Sequence, residues 1–107
     1  RYSRKLILDL TSKGYKPYYI NGDKYGKGNE KVPVHAYYKV VDEIVEQEKA
    51  INVNFDYIFF ASGTGMTQAG LIAGNINHGK NLNVGISIAR NVNNQIFKIK
   101  YFFKSIF

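Results

Sequence analysis

Residues 55–74 pass from an apolar strand through a glycine and threonine turn into a helix of small residues without a break, and few folds accommodate that succession. Phe55, Tyr57, Ile58, Phe59, Phe60 and Ala61 form an almost wholly apolar run, as expected of a strand buried on both faces at the centre of a parallel sheet. Ser62-Gly63-Thr64-Gly65-Met66-Thr67 turns the chain. Ala69, Gly70, Ala73 and Gly74 then give a helix over 67–75 a surface narrow enough to pack closely on that sheet.

The first amides of a helix have no intrahelical partner, and the helix dipole concentrates partial positive charge at the same end. A strand that ends in such a turn therefore presents an anion site. Gly63 and Gly65 let backbone approach the anion, and the hydroxyls of Ser62, Thr64 and Thr67 add donors. What is missing narrows the anion. A nucleoside-triphosphate loop needs Lys and then Ser or Thr after its second glycine, and Met66-Thr67-Gln68 stands there instead. A dinucleotide loop needs a third glycine at position 68 and an acidic residue about twenty positions later, yet 68 is Gln and no Asp or Glu follows Asp56. A single phosphate monoester remains. Thr67 has a second role open to it as helix N-cap, and Met66 contributes its amide with its side chain turned away.

Hydrophobic spacing orders the remaining elements. Tyr2, Leu6, Ile7 and Leu10 predict a helix over 2–10 that stops at Gly14, and 15–20 reads as a short strand whose Pro17 puts it at an edge. A charged, glycine-rich loop fills 21–35. Ala36, Tyr37, Val40, Val41, Ile44 and Val45 make one helical face, with Asp42, Glu43, Glu46 and Glu48 on the exposed side. Asn52-Val53-Asn54 ends that helix. Residues 77–81 turn the chain, 82–89 form the next strand, and Ile96, Ile99, Phe103 and Ile106 predict a last helix. The expected fold is α/β, three-layer αβα with a mostly parallel sheet, over residues 1–107 as a single domain or a fragment of one. Ligands sit beyond the carboxyl ends of strands in such sheets, where 62–67 lies.

Ala61-Ser62-Gly63-Thr64-Gly65-Met66-Thr67-Gln68-Ala69-Gly70-Leu71 resembles the phosphate loop of fold-type II pyridoxal-phosphate enzymes, the tryptophan synthase β-like group. Within that group it is most similar to the D-cysteine desulfhydrase and 1-aminocyclopropane-1-carboxylate deaminase branch. Residues 14–20, 36–44 and 84–90 resemble flanking elements of the same family, so the likeness spans 4–91. The segment 21–35 is longer and more charged than the family's short Gly-Gly loop, and 92–107 has no counterpart in it. The resemblance implies pyridoxal phosphate as cofactor, Ser62, Gly63, Thr64, Gly65, Met66 and Thr67 as its phosphate ligands, and a small amino acid as substrate. It also implies that the Lys holding the cofactor covalently belongs to an Asn-Lys segment preceding everything seen here. No lysine of this chain lies in such a segment, so no catalytic residue is assigned, and the chain alone is expected to be inactive.

Composition bounds the alternatives. The net charge of +7 fits an acidic partner, but Arg1, Arg4, Lys5, Lys13, Lys16, Lys24, Lys27 and Lys31 are dispersed and no nucleic-acid motif accompanies them. No nucleic acid is expected. The absence of cysteine excludes disulfides and thiolate metal sites, and His35 and His78 lack the paired spacing of metal ligands. With no bilayer-spanning stretch and no signal peptide, a cytoplasmic location is expected. The tyrosines at 15, 18, 19, 25, 37 and 38 read as core or as a homodimer surface. They support the alternative function, a non-catalytic phosphate- or cofactor-binding module that self-associates.

Overall fold

The structure is a computed structural model that describes residues 2–18, 31–80 and 83–106. These fall into two units, residues 1–30 and 31–107. The first contains helix α1 (Tyr2–Ser12), which ends where the spacing predicts. Gly14 adopts φ +83°, Tyr15 N–H donates to Leu10 C=O at 3.0 Å and Gly14 N–H to Thr11 C=O at 3.0 Å. A left-handed residue at this position lets both orphan carbonyls find amides. The expected strand over 15–20 is absent from residues 15–18, which are irregular, and its last two positions lie outside the described residues.

The second unit holds α2 (Lys31–Ile51), β1 (Ile58–Ser62), α3 (Met66–Asn77), β2 (Asn83–Ser87) and α4 (Val92–Lys104). Helix α2 begins five residues before the expected apolar face, inside the segment read as loop. Pro33 falls in its first turn, where no intrahelical acceptor awaits its missing N–H, so the proline is compatible with the start. At its other end Asn52 takes φ +54°, and Val53 N–H donates to Glu48 C=O at 3.0 Å. Helix α3 closes the same way through Gly79 at φ +65°, with Lys80 N–H on Asn75 C=O at 2.7 Å. Asn91 caps α4, its side-chain oxygen accepting from Asn94 N–H at 3.0 Å.

Strands β1 and β2 pair in parallel, Ile58 opposite Asn83 through Ser62 opposite Ser87, with α3 as the crossover between them. The fold is thus α/β with a small parallel sheet among the described residues. Helix α3 is the hub, packing against α2, α4 and β2. Val34, Ala69 and Phe102 form the centre of the core, with Met66, Ile99, Phe103 and Ile106 around it. A Cβ on Gly74 would stand 2.6 Å from Tyr38 O and 2.6 Å from Val41 Cγ2, so only glycine lets α2 and α3 come this close.

The expectation that β1 is buried on both faces is not met. Its side chains alternate between half-buried and exposed, with Phe59 66% exposed and Ile88 69% exposed beyond the end of β2. Tyr57, Phe59 and Ile86 share that open face. On the other face α3 packs on β2, and Gln68 lies against Gly85. Glu48, expected in solvent, is also corrected. It is 3% exposed because Lys80 pairs with one carboxylate oxygen and Phe55 N–H donates to the other at 2.8 Å. Those contacts hold its carboxyl below the ordinary value of 4.5, the Lys80 hydrogen bond contributing most and the Phe55 amide next. Asp42, expected on the exposed side, keeps 48% of its side chain exposed while it meets His78 Nε2 at 2.6 Å and fastens α2 to the end of α3.

Candidate functional site

The turn from β1 into α3 begins at a buried floor. Ser62, the last residue of β1, is 2% exposed, and its Oγ accepts from Gln95 Nε2 at 2.8 Å. Gln95 is itself 4% exposed. The Ser62 carbonyl accepts from Ile88 N–H at 3.3 Å, continuing the ladder one step past β2. The start of the loop is therefore fixed from two directions.

Gly65 caps α3 at φ +95° and ψ −7°, a conformation that costs a residue with a Cβ about 1–2 kcal/mol. No side chain caps this helix. Thr67 is consequently not the N-cap that its sequence position allowed; it sits in the first turn. Its amide and those of Gly63, Thr64, Gly65 and Gln68 have no acceptor among the described residues, while the Met66 amide reaches Thr64 Oγ1 only at 3.4 Å. The Met66 side chain packs on the core cluster, as its place in the loop requires. A set of donors without protein acceptors results, at the positive end of a twelve-residue helix dipole.

Gly63 differs from Gly65. It lies outside the left-handed region, and a Cβ built on it would meet nothing nearer than Ile88 Cδ1 at 3.9 Å. Neither backbone conformation nor protein packing demands glycine there.

Two residues that the sequence did not single out as site residues complete the loop. The Arg90 guanidinium donates to the Gly63 carbonyl, and its Nη1 also lies 3.5 Å from Gln95 Oε1. Ser87 Oγ donates to the Arg90 carbonyl at 2.7 Å, holding the bend that brings the arginine round. The parallel register carried the signal for Arg90. Since Ser62 pairs with Ser87, residues just after each strand emerge at one edge of the sheet. Among the described residues no three His, Asp or Glu side chains come together as a metal site. No described helix is long and apolar enough to cross a membrane.

Comparison with known proteins finds similar sequences. One, from Pyrococcus furiosus and named "Putative 1-aminocyclopropane-1-carboxylate deaminase", is 39% identical over 74 residues, 69% of this chain. Another, from Cryptococcus neoformans and named "Probable 1-aminocyclopropane-1-carboxylate deaminase", is 32% identical over 95 residues, 85% of this chain. The chain spans only 21% and 27% of the length of these relatives. No model of a known protein family matches it, and no solved structure does.

Proposed function

We propose that this chain carries the cofactor-phosphate anchor of a pyridoxal-phosphate-dependent lyase or deaminase of the fold-type II group. Its substrate class is a small amino acid, as in the 1-aminocyclopropane-1-carboxylate deaminase and D-cysteine desulfhydrase branch. The observation that carries the reading is the set of amides at 63, 64, 65, 67 and 68 that have no acceptor among the described residues, in a loop where neither packing nor backbone conformation demands glycine at 63. The names of these two relatives point the same way.

The residues present fit a phosphate monoester. Gly63, Thr64, Gly65, Met66 and Thr67 would offer amides, and the Thr64 and Thr67 hydroxyls would add donors. Ser62 would hold the loop's origin rather than reach the anion with its own hydroxyl, because its Oγ is buried against Gln95. Charge-assisted hydrogen bonds of this kind contribute roughly 1.5–3 kcal/mol each. No Asp or Glu follows Asp56 to repel a dianion, and Arg90 adds positive charge beside the loop. When bound, pyridoxal phosphate would withdraw electrons from the substrate carbon; this chain's part is to grip and orient its phosphate. A cytoplasmic setting and no role in nucleic-acid binding belong to the same proposal.

Titration with pyridoxine 5′-phosphate, which has no aldehyde to react with surface lysines, tests the anchor apart from covalent chemistry. Binding of the phosphorylated compound, competition by inorganic phosphate and no binding of pyridoxine are expected. Equal affinity for pyridoxine and its phosphate would refute the reading. A second reading, a self-associating module without catalysis, is favoured by the open sheet face of Tyr57, Phe59, Ile86 and Ile88. A second copy of the chain would be its partner. Sedimentation equilibrium showing a strict monomer at high concentration, with phosphate binding intact, would leave the first reading alone.

A further inference from the structure

We propose that Arg90 is a positioning residue for this loop: by taking the Gly63 carbonyl it turns the Thr64 N–H of the same peptide toward the bound phosphate. The proposal rests on the anchor reading above and deepens it. In a trans peptide the C=O and the following N–H lie in one plane and point in opposite directions, and no cis bond occurs among the described residues. Fixing one group therefore fixes the other. Gly63 has no side chain to restrain its backbone, so without a partner the 63–64 peptide is free to present its carbonyl, which repels an anion, in place of its amide.

The arginine is suited to that task by chemistry and by support. A guanidinium only donates, so it selects the carbonyl and cannot satisfy the amide. Gln95 Oε1 lies 3.5 Å from Arg90 Nη1, which orients the Gln95 amide so that Nε2 faces Ser62 Oγ at 2.8 Å. Ser87 Oγ grips the Arg90 backbone from β2 at 2.7 Å. Helix α4, whose residues have no counterpart in the sequence resemblance, thereby acquires a function: its first turn braces the loop through Gln95. A Cβ at Gly65 would press on Ile99 Cγ1 at 3.3 Å, so α4 also backs the second glycine.

The test uses the chain itself, with Arg90→Met, Arg90→Lys, Gln95→Ala and, as a control for general loss of positive charge, Lys98→Met. Affinity for pyridoxine 5′-phosphate is measured together with the Thr64 amide resonance and the thermal unfolding midpoint. Arg90→Met is expected to weaken binding about tenfold, the worth of one charge-assisted hydrogen bond. Its Thr64 resonance should move in the ligand-free protein and cease to respond to ligand, with the unfolding midpoint little changed. Arg90→Lys should recover part of the affinity and of the resonance position, and Gln95→Ala should shift the same resonance by a smaller amount. If Arg90→Met binds like the parent, or weakens only as much as Lys98→Met with the Thr64 resonance unmoved, the positioning role is wrong while the anchor stands. If the parent chain binds neither pyridoxine 5′-phosphate nor inorganic phosphate, the anchor reading fails and this proposal with it.

Discussion

Helix α3 and its approach carry two pairs of glycines, and each pair is glycine for a different reason. Gly70 and Gly74 face α2, where a Cβ would strike backbone and Val41. They are dictated by the protein's own packing. Gly65 is set by a left-handed backbone, and Gly63 by neither packing nor conformation. The contrast separates a seam that stability explains from a loop that stability only half explains. The unexplained part, Gly63 and the free amides beside it, is what a function must account for.

The largest effect should come from the seam. Gly74→Val places branched carbon where a single Cβ would already stand 2.6 Å from Tyr38 O, a main-chain atom that cannot yield without moving α2. Overpacking of this kind costs about 3 kcal/mol or more, well above the few tenths of a kcal/mol that valine gains over glycine in helix propensity. Urea unfolding should register the loss. A variant as stable as the parent would mean that the two helices are not packed as described.

Next in size is Gly65→Ala, for which the left-handed backbone predicts a loss of about 1–2 kcal/mol. The added methyl would meet Ile99 Cγ1 at 3.3 Å, a contact that a small side-chain shift relieves, so the backbone penalty should dominate. Gly65→Asn separates the causes, because asparagine tolerates that conformation better while being larger. If Asn proves the more stable of the two substitutions, backbone strain is the governing cost; if Ala does, crowding by α4 is.

Glu48 gives the seam a pH signature that the loop lacks. Its carboxyl is held below 4.5 in the folded protein by Lys80 and the Phe55 amide, so between the folded and unfolded values the unfolded chain binds more protons. The stabilisation is complete above 4.5 and is lost as pH falls through the lower, folded value. Glu48→Gln should lower stability at neutral pH and flatten its decline as the pH falls below 4.5. Parallel acid curves for parent and variant would remove this residue from the account.

Legibility in the sequence divides along the same line. Helix ends were readable because Gly14, Asn52 and Gly79 carry their conformational reason in the residue type, and the strand-turn-helix at 55–74 was readable from its apolar run and small residues. The face of a helix at its periphery was less so. Glu48 is acidic and stands among acidic neighbours, and only a lysine 32 positions away in the chain makes its burial tolerable. Two-sided burial of β1 was inferred from composition, yet apolar residues on both faces show what a strand is able to bury rather than what the described residues cover. Arg90 and Gln95 escaped notice because their roles arise from register: Ser62 opposite Ser87 sets them beside a loop about thirty residues earlier.

The smallest change in stability and the sharpest in function should meet at Gly63. An alanine there has room, its Cβ lying 3.9 Å from Ile88 Cδ1, and its backbone needs no left-handed φ, so stability should stay within about 0.5 kcal/mol of the parent. On the anchor reading the same methyl would crowd a ligand drawn to the loop amides. Affinity for pyridoxine 5′-phosphate should then fall about tenfold or more, since charge-assisted hydrogen bonds lengthened by an intervening carbon forfeit most of their strength. Calorimetric titration alongside thermal unfolding reads both quantities on one preparation. Lower stability with unaltered binding would return Gly63 to the class of Gly70 and Gly74, a residue required by the fold, and would remove the strongest reason for seeing an anion site in this turn.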